Sequence, residues 1–142
     1  MRHLIFISTI LFGSYFTHHA QNNFDLTVKI ENIKHNRGVV QLGLYNKASK
    51  FPKVNETYQV ARVKTVGKSR VYTFKSLPKG SYAVAIYHDA NANKTCDTNF
   101  LGIPTEAFAF SNNIRPKFSA PSFQSCSVSL IKDVEIEIRL VY

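Results

Sequence analysis

The densest collection of side-chain oxygens in this sequence lies in the run from His88 to Asn99, where Asp89, Asn91 and Asn93 alternate and Asp97 follows. That spacing imitates the opening of a calcium loop, in which a hard cation gathers carboxylate and carbonyl oxygens. The match is partial. Lys94 stands at the sixth position, where the helix-loop-helix motif needs glycine, and Phe100 at the twelfth, where it needs a bidentate glutamate. A cation here would draw on Asp89, Asn91, Asn93 and Asp97, with Glu106 folding back to complete the set; calcium is the only cofactor the residues suggest. A second reading uses the same residues without metal, because Asp and Asn side chains accept hydrogen bonds from nearby backbone amides and shape loops as Asx turns.

Other chemistry is sparse. Asp89, Asp97 and Glu106 are the only acids sharing one long loop, so a two-carboxylate hydrolase would have to use them. No serine sits in a nucleophile elbow and no glycine-rich phosphate loop is present. Cys96 and Cys126 could pair, closing a loop of roughly 30 residues and adding about 3 to 4 kcal/mol in the chain-entropy treatment; two free thiols are the alternative. Beyond the first twenty residues only His35 and His88 accompany those cysteines, without the close ligand pairs of a zinc site. His88 reads as a strand-end side chain capping the loop. Together with Phe108 and Phe110 it is also a candidate to line a groove, although aromatics in such a loop more commonly pin it to the core.

These residues need a scaffold, and its pattern has period two. Phe24, Leu26, Val28 and Ile30 alternate with Asp25, Thr27, Lys29 and Glu31, as a half-buried strand requires. Similar signals cover Val40 to Leu44, Tyr58 to Thr65, Arg70 to Lys75, Ser81 to His88, Phe123 to Ile131 and Val134 to Tyr142. The segments either side of Gly67 suggest a hairpin, and Leu77-Pro78-Lys79-Gly80 suggests a sharp reversal. Seven strands and no helix predict an all-β fold: a seven-stranded antiparallel sandwich of two sheets, immunoglobulin-like or prealbumin-like. Two connections exceed hairpin length, Asn46 to Thr57 and Asp89 to Ser122. The second, by its length and content, is where function is expected.

Composition sets the compartment. Arg2 and His3 precede an apolar stretch, Leu4 to Phe12, and Ala20 ends a segment that reads as a cleavable export signal, residues 1–20. The stretch is about half of the roughly 20 residues that span a bilayer as a helix, and none of comparable length follows. Cleavage after Ala20 leaves residues 21–142 as a single domain and, since Arg2 is the segment's only Lys or Arg and it holds no Asp or Glu, lowers the formal charge from +9 to +8. A chain of that length buries roughly two-thirds of its unfolded surface, so it can form a core unaided. Its lysines and arginines are scattered rather than clustered, which together with export excludes nucleic acid as the partner. An anionic envelope component or glycan suits the field better. The eighteen Phe and Tyr include no Trp platform for stacking sugars.

Leu77 to Gly80, Tyr82 to Asn93, Asp97 to Pro104, Glu106, Phe110 to Asn113 and Pro121 to Phe123 together resemble the domain of unknown function 2141 family of exported bacterial proteins. The most specific part is His88 to Pro104 followed by Phe110-Ser111-Asn112-Asn113. Members of that family usually have glycine after the second asparagine and again near the aromatic at 108, where this chain has Lys94 and Ala107 or Ala109. The resemblance implies an exported β-sandwich and supplies no catalytic residues. The resulting expectation is a non-catalytic binding or structural module of the envelope, with the carboxylate hydrolase of a surface glycan or ester as its alternative.

Overall fold

A computed structural model describes residues 22–116 and 119–142; the export signal expected at 1–20 lies outside them. Eight strands form two packed sheets. They are β1 (Asn23–Glu31), β2 (Val39–Tyr45), β3 (Gln59–Lys64), β4 (Arg70–Pro78), β5 (Gly80–Asp89), β6 (Phe108–Phe110), β7 (Val128–Leu130) and β8 (Val134–Arg139). One sheet has the order β4-β1-β8; the other runs β3-β2-β5-β6, with β7 also paired to β5. The expected all-β two-sheet fold is what the chain adopts. No helix among the described residues is long and apolar enough to cross a membrane.

The period-two signal works as the pleat requires. Leu26, Val28 and Ile30 of β1 face Val40, Leu42 and Leu44 of β2 and Val84 and Ile86 of β5 across a core completed by Phe74, Leu77, Leu130 and Ile138. Alternation fails in β2 and β5, however, where successive residues on both faces are buried. Something must therefore cover the outer face of the larger sheet. The cover is a second apolar cluster of Tyr45, Phe51, Ala83, Phe110 and Cys126, laid on that face by the long loops.

Four expectations are corrected. First, β3 and β4 are not a hairpin, because β3 edges the larger sheet and β4 the smaller, so the turn at Gly67 carries the chain from one sheet to the other. Second, β1 and β8 run parallel, a pairing that needs a crossover, and all the intervening chain supplies one. Third, Phe123–Cys126 is a helical turn, α1, instead of the start of a strand: the Ser122 hydroxyl accepts from Ser125 N at 3.1 Å and caps it. Fourth, the long loop contains the additional short strand β6.

β6 and β7 share the edge of β5 that β2 leaves free, pairing with Ala85–Tyr87 and Gly80–Tyr82 respectively. Ser111 fills the gap between them. Its buried hydroxyl accepts from Val84 N at 2.9 Å and lies within bonding distance of the carbonyls of Val84 and Cys126. The next two residues adopt left-handed backbone, φ 62° and 52°, which asparagine tolerates better than most. Asn112 Nδ2 donates to the carbonyls of Ser125 and Ser127. Asn113 donates to Glu137 O and accepts from Arg139 N, as a neighbouring strand would. The run Ser111-Asn112-Asn113 is thus a latch holding the end of the long loop to three elements.

Candidate functional site

The oxygen-rich loop closes on itself. Asp89, only 1% exposed, accepts from Asn93 N at 3.0 Å and Lys94 N at 2.8 Å, one amide per carboxylate oxygen. Asn91 and Asn93 side-chain amides donate to Asp97 at 2.7 and 2.9 Å. Glu106 reaches back across the loop, and its oxygens accept from Ala90 N and Asp97 N. Burial, opposed by those two amide bonds and then reinforced by the charges of Asp97 and Asp89, leaves its carboxyl above the usual range. Phe100, standing where a calcium loop would have its glutamate, is 94% exposed. Among the described residues no three His, Cys, Asp or Glu gather as metal ligands. The hydrogen bonds present are those of Asx turns, with N–H groups on the oxygens of Asp89, Asp97 and Glu106.

Ala92 and Lys94 carry the strain of this loop, with φ of 59° and 68°. Left-handed backbone costs a non-glycine residue about 1 to 2 kcal/mol. Lys94→Gly is accordingly expected to raise stability by roughly 1 kcal/mol, after allowance for the freer unfolded chain. Urea denaturation checks this, and a loss of stability would contradict it.

The cysteines do not pair: both thiols are free, Cys126 sealed in the outer cluster and Cys96 half-buried in the loop. Burial, then the nearby Glu106 and Asp97, push the Cys96 thiol up to about 11, so it is poorly suited to act as a nucleophile. His88 also departs from expectation. It faces the inter-sheet side, where its Nε2 donates to Arg37 O at 2.8 Å and its Nδ1 shares a hydrogen bond with Tyr142 Oη at 3.0 Å. It straps Tyr142 to the loop before β2 and is not among the residues lining the cavity that Phe108 and Phe110 share.

Phe108 and Phe110 do line one. A cavity of about 660 Å³ lies on the outer face of the larger sheet, walled by the loop after β2 and by Lys94 and Leu101 to Pro104. Strand register places its floor in two rows. Arg62, Gln41, Tyr87 and Phe108 are successive cross-strand neighbours on β3, β2, β5 and β6. Val60, Gly43, Ala85 and Phe110 form the adjacent row. The small pair Gly43 and Ala85 makes the second row a trough. A side chain at Gly43 would meet Thr57 and the Tyr45 ring, at 2.9 and 3.1 Å from its first carbon.

Gln41 and Tyr87 are each only 7% exposed, and Gln41 Oε1 and Tyr87 Oη are the two buried side-chain polar atoms without a partner among the described residues. Both belong to residues lining the cavity. Burial is the main cause raising the Tyr87 phenol to about 12, with Asp89, Cys96 and Glu106 adding to it and Arg62 opposing. It remains a protonated donor at neutral pH. Reading by periodicity missed Gln41, Tyr87 and Arg62, since outward polar residues on a strand ordinarily meet water. The available signal was Gly43, because glycine inside a strand marks close approach by another group.

The family model described as "Uncharacterized protein conserved in bacteria (DUF2141)" matches residues 28–138. The chain belongs to the DUF2141 family. The match runs from β1 to β8 and takes in both rows of the trough, the Asx loop and the latch. No curated protein and no solved structure matches the chain.

Proposed function

We propose that this DUF2141 chain is a non-catalytic, exported binding module that takes a small ligand into the trough on its larger sheet. One observation carries the reading: the two buried side-chain polar atoms without partners among the described residues both belong to residues that line a single cavity. A buried polar group left unpaired costs about 1 to 3 kcal/mol, which a ligand completing its hydrogen bonds would recover. The volume falls within the usual range for small-molecule sites. Export follows from the character of residues 1–20. No observation favours the hydrolase, since the loop acids are occupied as acceptors for backbone and side-chain amides.

The test uses 8-anilinonaphthalene-1-sulfonate, an anionic apolar fluorophore. One molecule is expected to bind per chain with enhanced emission. Ala85→Phe, which fills the trough, should abolish that signal while leaving far-ultraviolet circular dichroism unchanged. Undiminished binding by a folded Ala85→Phe protein would remove the trough as the site.

A further inference from the structure

We propose that the trough recognises an amide followed by a free carboxylate, with an apolar side chain between them: the end of a peptide, or a free N-acyl amino acid. This inference rests on the cavity being a ligand site, as argued above, and concerns only what enters it.

The first row of the floor presents three kinds of partner in order. Tyr87 carries an unpartnered hydroxyl, Gln41 an unpartnered carbonyl oxygen, and Arg62 a cation. Neighbouring strands are roughly 4.8 Å apart, so adjacent side chains can meet neighbouring groups of one ligand. An acylated amino acid presents the complements in the same order: a carbonyl that accepts from Tyr87 Oη, an N–H that donates to Gln41 Oε1, and a carboxylate for Arg62. A simple fatty acid lacks the N–H that Gln41 Oε1 requires.

Charge points the same way. Among the described residues, every charged one lining the cavity is basic, namely Arg62 and Lys94, and neither is ion-paired with another of them. The loop acids Asp89, Asp97 and Glu106 do not line it. The second row then receives the side chain, over Gly43 and Ala85 and between Val60 and Phe110. A sugar acid would bring an anion but would press hydroxyls against the apolar side chains of the second row, at a cost in desolvation.

Titration calorimetry on the folded protein, with N-acetylleucine, N-acetylleucinamide, 4-methylpentanoate, glucuronate and the tripeptide Ala-Ala-Leu, tests the assignment. N-acetylleucine should bind, and removing either its amide or its carboxylate should weaken binding about 10-fold or more, as expected for one buried or charge-assisted hydrogen bond. Tighter binding of the tripeptide identifies a peptide end, and equal binding identifies the free acyl amino acid; both carry the shared chemistry. Arg62→Met should erase the preference for N-acetylleucine over its amide. Tyr87→Phe should weaken binding while leaving the melting temperature unchanged or higher, a combination that a merely structural tyrosine would not give. If the fluorophore occupies the trough but N-acetylleucine does not displace it, or if 4-methylpentanoate or glucuronate binds equally well, the ligand assignment fails and the cavity reading survives. If the fluorophore also ignores Ala85→Phe, both fail.

Discussion

Replacing Ser111 by alanine lowers the stability of the fold by roughly 3 kcal/mol, a large effect for the loss of one oxygen atom. The hydroxyl stands where the edge of β5 passes from β7 to β6, and it accepts the amide of Val84 at a point that neither short strand reaches. Alanine leaves that N–H and the Cys126 carbonyl without their partner in a site closed to water. Urea denaturation measures the loss, and hydrogen exchange at the Val84 amide locates it. A change below 1 kcal/mol, or an unaltered Val84 exchange rate, would show that the latch is dispensable.

Asp89→Ala is expected to cost about as much, roughly 2 to 4 kcal/mol, because one buried carboxylate organises the entrance to the long loop. Each of its oxygens serves a different amide, so Asp89→Asn should lose most of the same energy: the new NH2 confronts one of the two N–H groups it ought to accept from. The variant should also loosen the wall of the trough that begins at Lys94, reducing fluorophore affinity. The loss is expected in full with a chelator present, since N–H donors occupy the oxygens. Restoration of wild-type behaviour by calcium, or a cost under 1 kcal/mol, would count against a loop braced by its own amides.

What could be read from the letters follows the range over which each signal acts. β1 and β8 declare themselves because each has one face in the core, so burial and sequence alternate together. β6 escapes notice because three residues, Phe-Ala-Phe, carry too little periodicity to stand out within a loop. Phe123 to Cys126 misleads because an aromatic-led run imitates a strand, while the single hydroxyl of Ser122 turns it helical. The Asx loop was visible as a set of oxygens, yet composition does not say whether amides or a cation will satisfy them. The trough was least visible. Its floor lies on outward positions of β2 and β5, and what covers them comes from loops distant in sequence.

The placement of β1 has a consequence for how the molecule comes into being. This strand is the middle of the smaller sheet, and one of its two neighbours is β8. The Asp25 amide binds the Asp133 carboxylate across 108 positions of chain. During synthesis, which proceeds from the amino end, one edge of β1 stays bare until all the chain between it and β8 has been made. Pairing over such separations is slow, and an exposed edge invites wrong partners in the interval. The interval before Val134–Arg139 closes that side is therefore the one in which β1 is most open to wrong pairing.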